Sequence, residues 1–143
     1  MSTTRTPRMA GDVMTVDVVT LDENDTLEHL GDAMRLMRFR HMPVVEDGRL
    51  VGLVTQRDVL RVSASSLLPS RAQDRFVSER FRVRDIMTKD VWAVPPATPL
   101  VHVVEQMIAR KIGCVPVVEQ DHRLIGLITE ADIVKLALEL LAS

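Results

Sequence analysis

Apolar and polar positions along the chain fall into two successive series that read alike. The first opens with Val18 to Leu21, a short apolar run of strand character that precedes a helix start. Asp25, with Glu28 three residues later, has the spacing of a capping box. Leu27, Leu30, Met34 and Met37 then recur at helical spacing. Two β-type runs follow, Met42 to Glu46 and Leu50 to Val54, and Asp47-Gly48 between them is a tight-hairpin signal. A second helical pattern after Thr55 carries Val59 and Leu60. The later series keeps this order. Thr98 stands as a cap and Pro99 at the first helical position, where its missing N–H costs nothing. Leu100, Val103, Val104, Met107 and Ile108 form the stripe of that helix. The next two strands flank the longer turn Gln120-Asp121-His122, and Ile133, Val134, Leu136, Ala137, Leu140 and Leu141 mark a closing helix after Thr129.

The two series are a repeat. Asp12-Val13-Met14-Thr15-Val16-Asp17-Val18 returns as Asp85-Ile86-Met87-Thr88-Lys89-Asp90-Val91, and Met42-Pro43-Val44-Val45-Glu46 returns as Val115-Pro116-Val117-Val118-Glu119. Arg49 to Asp58 returns as Arg123 to Asp132 once one residue is added in the second turn. About 18 identities spread over roughly 50 positions argue against chance. The predicted fold is α+β: two β-α-β-β-α repeats packed as a pseudo-twofold pair, because one such unit buries too little surface to be secure alone. The expected organisation is a flexible tail over 1–8, a first unit over 9–62, a connector over 63–82 and a second unit over 83–143. Arg71, Arg75, Arg80, Arg82 and Arg84 make the end of the connecting stretch basic, with Asp74 and Glu79 interspersed. It reads as a solvated connector or as a source of one or two phosphate contacts.

Composition narrows the function classes. With 143 residues, 46% of them hydrophobic and 27% charged, the chain is an ordinary globular protein with enough length for a real core. A net charge of −2 argues against a strongly basic nucleic-acid binder, and an aromatic content of 3% argues against a row of stacking platforms. No apolar run resembles a secretory signal or reaches membrane-spanning length, so the expectation is a cytoplasmic protein with no membrane partner. The single cysteine, Cys114, excludes an internal disulfide.

No nucleophile elbow, P-loop or dinucleotide fingerprint occurs. His29 and His102 are repeat equivalents, but no carboxylate stands beside them at metal-ligand spacing, so no metal site is expected. Cys114 lacks an evident histidine partner and reads as a buried thiol. The repeated Gly-x-x-Thr-x-x-Asp is more informative, as Gly52 to Asp58 and again Gly126 to Asp132. Threonine and aspartate three apart at a strand-to-helix junction can simply close a capping box. The same arrangement suits a nucleotide: free N–H groups and a hydroxyl for phosphate, and a carboxylate that can accept from two vicinal ribose hydroxyls. The sequence leaves both readings open.

The M-T-x-D-V opening, the x-P-V-V-E strand and the G-x-x-T-x-x-D helix start, each present twice in order, resemble a tandem pair of CBS domains over about residues 9 to 142. In detail the chain is similar to small stand-alone bacterial CBS-pair proteins, including the acetoin-utilisation group. The resemblance implies two clefts that take AMP, ADP, ATP or S-adenosylmethionine as ligand, with no cofactor required. One would use Thr129 and Asp132 with Thr15, Val18, Val19, His41, Met42 and Pro43. The other would use Thr55 and Asp58 with Thr88, Val91, Trp92, Cys114, Val115 and Pro116, and Arg57 as a phosphate contact. Ala131 replaces Arg57, Trp92 replaces Val19 and Cys114 replaces His41 between the repeats, so the two clefts would differ chemically. Trp92 would either stack on adenine or fill the base pocket.

The resulting expectation is a non-enzymatic sensor that binds an adenosine compound and acts in trans on a protein target through a homodimer, since CBS pairs associate through their helices. Met34, Met37, Met107 and Ile108 would supply apolar surface for that association. The alternative is a ligand-free structural or interaction module of the same fold.

Overall fold

A computed structural model of the chain describes residues 7–27, 41–58 and 81–143. The chain forms two compact units, Met1–Val18 with Trp92–Ser143, and Val19–Val91. The elements are α1 (Ala10–Val13), β1 (Leu21–Asp22), β2 (His41–Glu46), β3 (Arg49–Thr55), α2 (Val83–Ile86), α3 (Leu100–Arg110), β4 (Cys114–Val118), a 3-10 turn (Gln120–His122), β5 (Leu124–Thr129) and α4 (Glu130–Ala142). Helical residues also begin at Leu27 and at Gln56. The expected positions Glu28, His29, Leu30, Met34, Met37, Val59, Leu60 and connector residues 63–80 lie outside the described residues.

In the unit Val19–Val91, β1 runs parallel to β2 with Leu21 beside Val44, and β2 runs antiparallel to β3. The hairpin closes at Asp47 and Gly48, whose φ angles of 51° and 80° are the positive pair that the two residues were expected to supply. Thr88 borders β3: Leu53 N–H donates to its carbonyl at 3.0 Å and Thr88 N–H returns the bond at 2.9 Å. Leu21, Met42, Val44, Val54 and Val83 form the core, with Val19, Leu27, Val51, Ile86 and Met87 packed on it.

The unit of Met1–Val18 and Trp92–Ser143 repeats this plan. Val94 bridges Val117 in parallel, β4 pairs antiparallel with β5, and Thr15 pairs with Leu127 through bonds of 2.8 and 3.0 Å. Ala10, Val94, Leu100, Val103, Met107, Val115, Val117 and Ile128 are its buried core. Both hairpins slip register at the same place, after Val44 and after Val117. Sequence repeat and compact unit therefore do not coincide. The Asp-x-Met-Thr segment that opens the first repeat packs on β5 of the second, and the one that opens the second packs on β3 of the first.

Four local expectations are corrected. The opening strand is not Val18 to Leu21 but Leu21–Asp22, because Leu21 is the buried residue that sets the register on Val44. Among the described residues Asp25 makes no helix-capping bond: its carboxylate accepts from Asp22 N–H at 2.9 Å and closes a turn two residues before helical residues begin. Thr98 makes no cap bond either. The helix starts at Leu100 with Pro99 at the cap, and Leu100 N–H is already satisfied by the Arg8 carbonyl at 2.7 Å. Finally, Met107, expected to supply surface for association, is buried; Ile108 is 74% exposed, and Val134, Leu140 and Leu141 also face outward.

Candidate functional site

Each Thr-x-x-Asp couplet sits where a strand runs into a helix. Thr129 has extended backbone angles (φ −120°, ψ 169°), and its N–H donates to Asp132 Oδ2 at 2.9 Å. The Thr129 side chain accepts from the Asp132 backbone in return, completing a capping box for α4. Thr129 Oγ1 lies 3.2 Å from the same carboxylate oxygen. The first repeat is alike: Thr55 N–H donates to Asp58 Oδ2 at 2.9 Å, Thr55 Oγ1 donates to it at 3.1 Å, and Asp58 N–H donates back to Oγ1 at 3.2 Å. Both couplets therefore use one carboxylate oxygen for the cap and leave the other to be accounted for.

The two remaining oxygens differ. Asp132 Oδ1 accepts from the Thr15 hydroxyl at 3.1 Å. Asp58 is 93% buried by its relative exposure of 7%, and among the described residues no donor meets its Oδ1. A buried acceptor left open costs free energy that an incoming hydroxyl would recover.

The opening motif explains how Thr15 reaches Asp132. Asp12 accepts from Met9 N–H at 2.9 Å and Asp85 from Arg82 N–H at 2.7 Å, which shapes the short helices α1 and α2. Beyond them, Met14 lies over Gly126 and Met87 over Gly52. A Cβ on either glycine would come 2.5 Å from the methionine sulfur. Glycine is thus what allows the threonine of each opening segment to lie beside the strand that leads into a couplet.

The other expected residues are divided between the units. Thr15, Val18, Trp92, Cys114, Val115, Pro116, Thr129 and Asp132 belong to one, and Val19, His41, Met42, Pro43, Thr55, Arg57, Asp58, Thr88 and Val91 to the other. His41 is the ladder partner of Thr55, and Cys114 that of Thr129. Met42 and Val115 are core residues, and Pro43 and Pro116 are buried as well, so their side chains are taken up by packing. Arg57, Thr15 and Thr88 are exposed, and Val18, Val19 and Val91 half-buried. Trp92 has an occupant already: the Arg110 guanidinium lies 4.9 Å from its ring centroid, and His102 meets it edge-on at 6.0 Å. Sequence reasoning missed Arg110. Its place eighteen residues beyond Trp92, near the end of a helix of unknown orientation, gave no local signal.

Cys114 behaves as a buried thiol. Burial, and secondarily the Asp132 carboxylate, push it from 9.0 up to about 12. The native thiol should resist Ellman's reagent near neutral pH and react once the chain is unfolded in guanidinium. The linkage has a definite sign. The folded state holds this proton more tightly than the unfolded chain, so its contribution is complete below 9.0 and is lost as pH rises toward about 12. A urea midpoint that falls across this alkaline window, and falls less in Cys114→Ala, checks it.

Comparison with known proteins agrees with the repeat and the fold. The CBS domain family model matches residues 10–65 and again 83–139. The chain belongs to the CBS-domain family and carries a tandem pair. It is similar to the crystal structure of a Vibrio cholerae protein named for acetoin utilization (AcuB), with 33% identity, a TM-score of 0.79, and coverage of 94% of this chain and 93% of that one. The CBS domain pair of protein MJ0100, crystallised with 5′-methylthioadenosine and S-adenosyl-L-methionine, is 25% identical with a TM-score of 0.75, over 90% of this chain and 98% of that one. Among curated relatives, homoserine O-acetyltransferase of Methanohalobium evestigatum is 33% identical over 87% of this chain but only 23% of its own length. The chain spans from about a quarter to about half of the length of the first curated relatives it matches. Relatives named as enzymes are thus larger, with the CBS pair as one part of them. Among the described residues no helix is long and apolar enough to cross a membrane.

Proposed function

We propose that this chain is a regulatory CBS-pair module that binds an adenosine-containing ligand, AMP, ADP, ATP or S-adenosylmethionine, and signals through a homodimer in the cytoplasm. The observation that carries the reading is Asp58. Its carboxylate is buried, one oxygen is spent on the cap, and the other has no donor among the described residues. A ribose hydroxyl is the kind of donor that would complete it, and the adjoining helix start with exposed Arg57 suits the phosphate of a nucleotide. Thr129 and Asp132 offer a second, similar contact. The adenosine compounds bound by the MJ0100 pair favour the same ligand class.

Isothermal titration calorimetry of the wild type with AMP, ATP and S-adenosylmethionine tests this. Saturable heat and a ligand-dependent rise in melting temperature are expected. No heat and no shift at millimolar concentration would leave the capping boxes as purely structural, and the chain as a ligand-free interaction module.

Self-association has its own support. Val134, Leu138 and Leu141 share one face of α4 and are 66%, 67% and 84% exposed, while Val101 and Ile108 share a face of α3. Outward apolar stripes on two helices are costly to leave in water, and symmetric pairing of two copies would cover them. Leu138→Lys should shift sedimentation from dimer to monomer while leaving the circular dichroism spectrum unchanged.

A further inference from the structure

The two couplets differ in one bond, and we infer that the Thr15 hydroxyl is an internal competitor for the diol-binding oxygen of Asp132, making the Asp132 site the weaker of two unequal adenosine sites. This deepens the proposed function and rests on it. The backbone frame is the same at both places: Thr15 is paired with Leu127, and Thr88 with Leu53, through two hydrogen bonds each. The side chains part company. Thr15 Oγ1 donates to Asp132 Oδ1 at 3.1 Å, on the oxygen that the capping box leaves over. Among the described residues the Thr88 hydroxyl makes no such bond, and no donor meets Asp58 Oδ1. Residue type does not explain the difference, since both positions are threonine. The aspartates themselves sit in different settings, buried as Asp58 and half-exposed as Asp132.

A hydroxyl already on Oδ1 does what a ribose hydroxyl would do. A vicinal diol must displace it or share the oxygen with it, and the bond lost is one to a charged acceptor, the stronger kind. At Asp58 no described residue has to be displaced from Oδ1. Thr15 is therefore a positioning residue that sets the threshold of one site, so that the two fill at different ligand concentrations.

The test isolates the Asp132 site in an Asp58→Asn background and titrates AMP and S-adenosylmethionine, with 2′-deoxy-AMP as a probe lacking the diol. Thr15→Val, which keeps the shape and removes the donor, should tighten the two ribose ligands about tenfold. Thr15→Ser should restore the starting affinity, and 2′-deoxy-AMP should be insensitive to either change. Thr15→Ala serves as a second donor-free variant should the valine disturb the strand pairing. Unchanged or weakened binding in both donor-free variants overturns the inference while adenosine binding itself stands. Absence of binding by either ribose ligand in the wild type overturns the functional reading and this inference with it.

Discussion

Replacing Gly126 with alanine is expected to destabilise the protein by about 1–3 kcal/mol, the usual cost of overpacking a tight site. The added methyl would lie 2.5 Å from Met14 Sδ, 2.9 Å from its Cγ and 3.1 Å from its Cβ. The sulfur could swing away, but the Cβ is fixed to the backbone, so the opening segment itself has to retreat. That segment carries the Thr15–Leu127 pairing, and two backbone hydrogen bonds would lengthen with it. Gly52→Ala should behave alike, because its methyl would meet Met87 Sδ at 2.5 Å and the Thr88 carbonyl at 3.1 Å. The specific signature is non-additivity. Met14→Ala alone leaves a gap and Gly126→Ala alone a clash, whereas in the double variant the added methyl takes the space of the missing Sδ and Cγ and only the 3.1 Å contact with the Cβ remains. Urea melts of the four proteins measure the coupling. Simple addition of the two losses would show that the methionine–glycine contact is not what holds the segment.

That contact also marks the boundary of what could be read from the sequence. The hairpin turn at Asp47-Gly48, the strand pairs on either side of it and the closing helix after Thr129 were all legible, because each depends on neighbours a few residues apart. The partnership of the repeats was not. Met14 and Gly126 both stood out as repeated residues, yet periodicity cannot tell whether an opening segment packs on its own repeat or on the other. Capping was misplaced for a related reason. Thr98 looks like a cap from its neighbours, but the N–H it would serve is met by Arg8, distant in sequence and brought close by the fold. The Thr-x-x-Asp couplets were recognised from their spacing, and both prove to be capping boxes. What spacing could not reveal is the fate of the second carboxylate oxygen. That depends on burial and on Thr15, over a hundred residues away in the chain.

The same oxygen distinguishes a cap from a binding group, and Asp58→Asn separates the two experimentally. The amide keeps a carbonyl oxygen that can stay on Thr55 N–H and Oγ1, where Oδ2 now sits at 2.9 and 3.1 Å. The NH2 group then replaces Oδ1, and an NH2 group cannot accept from a hydroxyl. The cap therefore survives while the open acceptor becomes a donor and the negative charge is lost. Stability should change by less than about 1 kcal/mol, whereas Asp58→Ala should lose about 1 kcal/mol or more because Thr55 N–H is left without its partner. Binding should respond in the opposite proportion. Two hydroxyl bonds to a carboxylate, each worth about 1.5–3 kcal/mol, correspond to at least a hundredfold in affinity, so Asp58→Asn should abolish the tighter event in a titration with AMP or S-adenosylmethionine. If Asp58→Asn folds normally and still binds either ligand with wild-type affinity, Asp58 is a capping residue alone, and a ribose contact must be sought elsewhere in the chain.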